Sequence, residues 1–245
     1  MILLDCGNSS FKARAYAAGQ VRASFASAYG EHAGDRLDRW LADVDAERAV
    51  VCSVLDPARQ AMIDRCLKRR FDDAVTRLCS EAEALGVTSG YDDPHSLGDD
   101  RWLALLGAAI STGRADCLII DAGSAITIDL LRSDGQHLGG AILPGFNTSH
   151  ERFREIFAYI DFDDPAIARG TEPGSSTAAA IQIDYDQPSI DRLPALVKRW
   201  TSYFQSTPQL LLAGGDAARV QGLLEQPSRI LSDLVFRGML ARVNA

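Results

Sequence analysis

Two short segments of this sequence carry the residue types of a phosphate-handling loop. Leu4-Asp5-Cys6-Gly7-Asn8-Ser9 and Ile120-Asp121-Ala122-Gly123-Ser124-Ala125 share one plan: an apolar run, an aspartate, any residue, a glycine, then small or polar residues. A strand that ends in Asp-x-Gly and turns tightly into a second strand exposes backbone N–H groups. Glycine there lets a phosphate approach with no Cβ in its way. In the first copy Asn8, Ser9 and Ser10 add side-chain donors, and Lys12 supplies a cation. Asp5 repels phosphate, so its role would be to hold Mg²⁺ or a water of the ion's shell. In the second copy Ser124 and Thr127 offer donors, and Asp121 and Asp129 offer carboxylates to a metal.

Two further elements complete the set. Gly98-Asp99-Asp100-Arg101 puts carboxylates beside a guanidinium. A carboxylate there can deprotonate a hydroxyl for in-line attack on a γ-phosphate, while the guanidinium holds a substrate carboxylate through paired hydrogen bonds. Leu212-Ala213-Gly214-Gly215-Asp216-Ala217 runs from a strand through two glycines into a helix, which would let a flat nucleoside lie close to the backbone. Each pattern also has a plain structural reading: an ordinary hairpin with Lys12 solvated, Asp129 at a strand end, helix capping by Asp99 and Asp100 with Arg101 solvated, and a simple strand-to-helix turn.

The elements that must position these residues follow from hydrophobic period and turn signals. Ile2 to Cys6, Ser10 to Ala17 and Val21 to Ala26 read as a three-stranded meander. A helix over Asp35 to Val44, a buried strand over Ala49 to Leu55, a helix carrying Met62, Ile63, Cys66 and Leu67, and a strand over Ala74 to Leu78 come next. Gly86 to Gly98 lacks apolar periodicity and reads as a loop. A helix from Asp99 or Asp100 to about Thr112, with Leu103, Leu106 and Ile110 on one face, closes the first half. Cys117 to Asp121, Ile126 to Leu131 and His137 to Leu143 form a second meander. Helices are expected at about 149–158, 175–184, 190–205 and 216–224, with a strand over Leu210 to Ala213 and a last helix from about Asp233. The chain is therefore expected to hold two related α/β halves, 1–113 and 114–245, each opening in a meander around an Asp-x-Gly turn.

Composition narrows the function class. With 245 residues, 47% hydrophobic and 24% charged, the chain has the make-up of a globular protein. A net charge of −8 and no basic run longer than Lys68-Arg69-Arg70 argue against nucleic acid as a partner. Acidity does not exclude a small phosphorylated ligand, which backbone N–H groups and one lysine can hold. The five cysteines form no CxxC or CxC pair, so neither a zinc ribbon nor a disulfide framework is expected. His32, His95, His137 and His150 have no paired spacing, and none is expected to be a ligand or catalytic base. No apolar stretch nears the roughly 18 residues of a membrane span, and Asp5 interrupts the first apolar run too early for a signal peptide, so a cytoplasmic protein is expected. GxSxG, Walker and GxGxxG patterns are absent.

The paired Asp-x-Gly loops and the glycine turn resemble the superfamily of acetate kinase, sugar kinases, Hsp70 and actin. The sequence is similar in particular to type III pantothenate kinases, whose hallmarks stand here as Asp5 to Lys12, Gly90-Tyr91 with Gly98 to Arg101, and Asp121 to Thr127 with Gly139-Gly140-Ala141-Ile142-Leu143-Pro144-Gly145. The resemblance implies an α/β fold of two ribonuclease H-like halves, each with a mixed sheet flanked by helices. It also implies ATP-dependent phosphorylation of pantothenate, the first step of coenzyme A biosynthesis, with Mg²⁺ and a monovalent cation, K⁺ or NH₄⁺. By that resemblance Asp100 is the general base, and Asp5, Cys6, Gly7, Asn8, Ser9, Ser10, Phe11, Lys12 and Ser124 bind ATP. Tyr91, Gly98, Asp99 and Arg101 bind pantothenate, and Asp121 holds the monovalent cation. Thr177, in Gly174-Ser175-Ser176-Thr177, matches a threonine that reaches pantothenate across a homodimer interface. Ser9 and Ser124 replace the usual threonines, Asp99 adds an acid beside the base, and 179–186 lacks the usual glycines. An accessory protein that keeps the fold without turnover, and a related small-molecule kinase, are the competing readings.

Overall fold

The computed structural model describes residues 1–146, 173–177, 180 and 193–245. The chain packs as two compact units, Met1–Cys79 and Ser80–Ala245. The expected helices at about 149–158 and most of 175–184 lie outside the described residues.

In the first unit β1 (Ile2–Cys6), β2 (Ser10–Ala17) and β3 (Gln20–Ala28) form the meander, followed by α1 (Ala33–Asp43), β4 (Ala49–Ser53), α2 (Pro57–Phe71) and β5 (Val75–Arg77). The sheet order is β3-β2-β1-β4-β5. β1 is antiparallel to β2 and parallel to β4, which is parallel to β5. β1 up to Asp5 and β4 up to Ser53 are apolar runs because central strands are covered on both faces. In β2, Phe11 and Ala13 face the core and Lys12 faces out. Leu37 and Leu41 of α1 and Ile63 and Leu67 of α2 share one core with Ile2, Leu4 and Phe11. α2 begins sharply because Pro57 opens it and the Asp56 carboxylate accepts from the N–H groups of Ala58 (2.9 Å) and Arg59 (3.1 Å).

The second unit opens with a small hairpin, β6 (Glu83–Ala84) and β7 (Val87–Thr88), so the segment read as pure loop contributes a short strand. Then follow α3 (Asp99–Ser111), β8 (Cys117–Ala122), β9 (Ala125–Leu131), β10 (His137–Pro144), α4 (Leu193–Trp200), β11 (Gln209–Ala213), α5 (Ala217–Gln221), β12 (Ser228–Ile230) and α6 (Leu234–Val243). The order β10-β9-β8-β11-β12 repeats the first sheet, with β8 antiparallel to β9 and parallel to β11. β12 was not expected, since Ser-Arg-Ile is too short to show a period.

α3, expected to close the first half, packs in the second unit, against β8, β9 and α6. Residues Arg101 to Ala109 are all buried, whereas Ile110, read as part of the buried face, is 52% exposed. The α3–α6 contact is backbone to backbone. A Cβ on Gly107 would lie 2.1 Å from the Leu234 carbonyl oxygen, and one on Gly238 would lie 1.9 Å from that of Leu103. Neither helix can yield without moving the other. Gly238→Ala is therefore expected to lower the unfolding free energy by about 1–3 kcal/mol in urea titrations; an unchanged midpoint would contradict this crossing.

Candidate functional site

Both Asp-x-Gly segments form hairpins that join the first two strands of a sheet. In β1–β2, Asp5 lies opposite Lys12 and Cys6 opposite Phe11, leaving Gly7 to Ser10 as the turn. In β8–β9, Asp121 lies opposite Thr127 and Ala122 opposite Ile126, so the turn, Gly123 to Ala125, is one residue shorter. Opposed residues of an antiparallel pair share a face, which puts the Asp5 carboxylate and the Lys12 ammonium on one side of the first sheet. Gly7 and Gly123 are absent from the left-handed backbone region. An added Cβ would meet nothing nearer than the Ser10 oxygen at 3.5 Å or the Ala125 oxygen at 3.9 Å. The fold itself does not require glycine at either turn; bare backbone there suits the close approach of a ligand.

The first turn is also clasped from outside, a feature the sequence reading missed. Arg59, in the first turn of α2, donates from Nη1 to the Asn8 carbonyl (2.6 Å), and the Tyr29 N–H donates to the Ser9 carbonyl (3.3 Å). The Arg59 guanidinium lies over the Tyr29 ring, 5.0 Å from its centre. Cys6 is buried, and burial pushes its thiol well above the usual range, so it acts as a small hydrophobe.

The second turn has its own surroundings. The Gly145 N–H donates to the Ser124 carbonyl (3.1 Å) and the Asp216 N–H to the Ala122 carbonyl (3.0 Å). Gly214, at φ 85°, packs so closely on Asp121 that a Cβ would sit 2.6 Å from its Oδ1. The structure thus brings Asp121, Ser124 and the Gly214–Asp216 turn together within the second unit.

The densest polar cluster centres on Arg101, whose side chain is 4% exposed. Its Nε donates to Asp129 Oδ2 (3.0 Å), Nη2 to Asp129 Oδ1 (2.6 Å) and Nη1 to the Tyr91 hydroxyl oxygen (2.6 Å). Asp129 Oδ1 also lies 3.0 Å from His137 Nε2, and the Gly90 N–H donates to His137 Nδ1 (3.3 Å). The Tyr91 ring stacks on the imidazole with centres 5.9 Å apart. Burial alone would raise the Asp129 carboxyl; the Arg101 charge and the hydrogen bonds from His137 and Arg101 outweigh it and hold it below the usual range. Burial would lower Arg101, and Asp129 more than compensates, so the guanidinium stays charged. Asp129 thus lies inside β9 rather than at its end, and both its oxygens accept from protein donors. His137 is a partner of this cluster. Two opposite charges set in apolar stretches, Arg101 in Asp-Arg-Trp-Leu-Ala-Leu-Leu and Asp129 in Ile-Thr-Ile-Asp-Leu-Leu, were the signal that could have revealed the pair.

The two acids before Arg101 part company. Asp99 Oδ1 accepts the Ser80 N–H (2.7 Å), tying down the start of the unit. Asp100 Oδ1 accepts the Arg101 N–H (2.8 Å), and its second oxygen has no hydrogen-bond donor among the described residues. Neither caps the helix, whose N-cap is Gly98 with no side-chain bond. Burial raises both carboxyls above the usual value; for Asp100 the N–H and charge of Arg101 pull against that shift, and for Asp99 the Ser80 hydrogen bond does so. Residues 173–177 are tied to the Tyr91 loop. Gly174 and Gly140 exchange backbone hydrogen bonds (2.8 and 3.3 Å), the Asp92 N–H donates to the Ser175 carbonyl (3.0 Å), and the Thr177 hydroxyl donates to the Ser96 carbonyl of the same chain.

Residues 1–185 match the model of the type III pantothenate kinase family. A type III pantothenate kinase of Pseudomonas fluorescens (strain Pf0-1) is 33% identical over 98% of this chain and 97% of its own length. Among solved structures, a conserved putative Baf family transcriptional activator from Campylobacter jejuni superimposes with a TM-score of 0.54 at 20% identity, covering 100% of this chain and 98% of that one. A putative 2-dehydro-3-deoxygalactonokinase from Sinorhizobium meliloti gives 0.54 at 17% identity, covering 99% and 98%. At those identities the two structures speak for the fold.

The raised Asp100 carboxyl has a measurable consequence. The unfolded chain ionises Asp100 at the ordinary value, while the folded chain keeps the proton to higher pH. Its contribution to stability is therefore fully present below the ordinary value and is lost as pH rises through the raised one. Asp100→Asn cannot ionise, so it is expected to melt at a higher temperature than the wild type at neutral pH, with the gap closing toward about pH 4. A variant less stable than the wild type at neutral pH would contradict this.

Proposed function

The chain belongs to the type III pantothenate kinase family, a family of phosphotransferases, and on that premise we propose that it moves the γ-phosphate of ATP to the primary hydroxyl of pantothenate, giving 4'-phosphopantothenate and ADP. The observation that carries this reading is the pairing of an Asp100 oxygen without a donor among the described residues with a guanidinium, one residue on, that is locked in place yet not fully spent. Asp100 takes the hydroxyl proton as the oxygen attacks phosphorus and the bond to the ADP oxygen breaks. A carboxylate raised by burial is a better proton acceptor than an ordinary one. Arg101 holds the pantothenate carboxylate with its remaining N–H groups, beside Tyr91 and Gly98. Asp99, whose Oδ1 accepts the Ser80 N–H, contributes to pantothenate binding beside Asp100.

Asp5, Cys6, Gly7, Asn8, Ser9, Ser10, Phe11, Lys12 and Ser124 bind ATP, with the bare backbone at Gly7 in support of that role. A single carboxylate opposite a lysine suits Mg²⁺, which keeps most of its waters, so Asp5 would hold it; the ion would offset phosphate charge. Asp121 would hold K⁺ or NH₄⁺. In a homodimer Thr177 would exchange the Ser96 carbonyl for pantothenate bound to the partner subunit. The repeated strand order supports ribonuclease H-like halves, and the cytoplasm is the compartment this reading expects. Among the described residues no helix is long and apolar enough to cross a membrane.

The purified protein should form 4'-phosphopantothenate, detected by mass spectrometry, only when both ATP and pantothenate are present. Asp100→Asn is expected to lose about 10²–10⁴-fold in kcat; full activity in that variant would overturn the base. Gly7→Ala is expected to keep its melting temperature while its KM for ATP rises about tenfold, a loss of about 1.4 kcal/mol. An unchanged KM would remove the first turn from the nucleotide site.

A further inference from the structure

Arg101 comes to its proposed task with most of its hydrogen-bonding capacity committed. Of the five N–H groups of a guanidinium, Nε and one on Nη2 go to Asp129 and one on Nη1 goes to Tyr91, leaving a single N–H on each terminal nitrogen without a partner among the described residues. We propose that Asp129 and His137 are positioning residues that fix the plane of this guanidinium, and so make a carboxylate on the acceptor alcohol a condition of efficient phosphorylation. The inference rests on the assignment of Arg101 to the acceptor's carboxylate.

Three observations carry it. First, the Arg101 and Asp129 side chains are 4% and 3% exposed, so the guanidinium cannot turn without leaving a buried carboxylate unpaired. Second, the His137 tautomer is set by its neighbours. Nδ1 accepts the Gly90 N–H, so Nε2 bears the proton and donates to Asp129 Oδ1, holding that oxygen in line with Arg101 Nη2. A carboxylate held from behind by an imidazole has lost the freedom to follow a moving arginine. Third, the space is closed: a Cβ on Gly140 would fall 2.7 Å from Asp129 Oδ1 and 2.8 Å from Arg101 Nη2. What the described residues leave unused on the guanidinium is one N–H on each terminal nitrogen, a pair of donors that matches the two oxygens of a carboxylate and not one hydroxyl.

The test compares two acceptors, pantothenate and its alcohol analogue in which CH₂OH replaces the carboxylate, in the wild type, Asp129→Asn, His137→Ala and His137→Gln. The wild type is expected to favour pantothenate strongly in kcat/KM. In Asp129→Asn and His137→Ala the KM for pantothenate is expected to rise at least tenfold with the KM for ATP unchanged. The preference for the acid should then fall toward unity, and His137→Gln, which restores a donor toward Asp129, should recover part of it. Circular dichroism and melting curves establish folding; should Asp129→Asn not fold, the two His137 variants carry the comparison. Equal losses on both acceptors, with the preference intact, would overturn the proposal and make the cluster a matter of stability alone. A wild type that phosphorylates both acceptors equally would overturn it while leaving the kinase reading in place. Failure to phosphorylate pantothenate at all would overturn both.

Discussion

A guanidinium buried in a protein interior must be neutralised where it lies, and the interior of the second unit is arranged around that requirement. Arg101 stands in the first turn of a helix enclosed on nearly every side, where an unpaired charge would be far too costly. Asp129 meets it with two parallel hydrogen bonds, the geometry a planar fork favours. That single pairing then dictates its neighbours. Asp129 must interrupt a largely apolar strand, His137 must open the next strand so that its ring reaches Oδ1, and residue 140 must lack a side chain. Breaking such a pair by removing one partner typically costs about 3–5 kcal/mol, because the other charge remains buried.

The two Asp-x-Gly hairpins are a different kind of constraint. Their glycines relieve no strain and fill no tight space. What holds the hairpins is the register of the strands on either side and, for the first, the grip of Arg59 and Tyr29 on two turn carbonyls. Those two contacts engage carbonyl oxygens of the turn, and backbone N–H groups are the donors a phosphate would need there. Repetition of one strand order in both units puts these hairpins at equivalent places in their sheets.

Much of this was legible in the sequence, and the reasons for the exceptions are physical. Central strands such as Ile2–Cys6 and Cys117–Ala122 are apolar up to the aspartate near their ends, and the turns beside them are marked by glycine and serine, so the duplicated meanders stand out. β12 and the β6–β7 hairpin are too short to show a period. Ile110 fits a helical face on paper, but α3 is covered nearly all round and the exposed spot falls at its last turn. What sets Asp99 apart from Asp100 is Ser80, which lies far from them in sequence and donates its N–H to the Asp99 carboxylate. The charges of Arg101 and Asp129 in apolar stretches marked that pair, whereas the part of His137 was hidden because a hydrogen-bond network between a helix and two strands leaves no spacing rule in a single chain.

The account stands or falls on what Arg101 and Asp100 do when the acceptor is bound. A crystal structure with pantothenate and a non-hydrolysable ATP analogue tests this directly. The account predicts the pantothenate carboxylate on the two unspent N–H groups of Arg101, its primary hydroxyl within hydrogen-bond distance of Asp100, and the Arg101–Asp129 pair unmoved. Pantothenate bound with its carboxylate elsewhere, or an Arg101 that abandons Asp129 to reach it, would contradict the account.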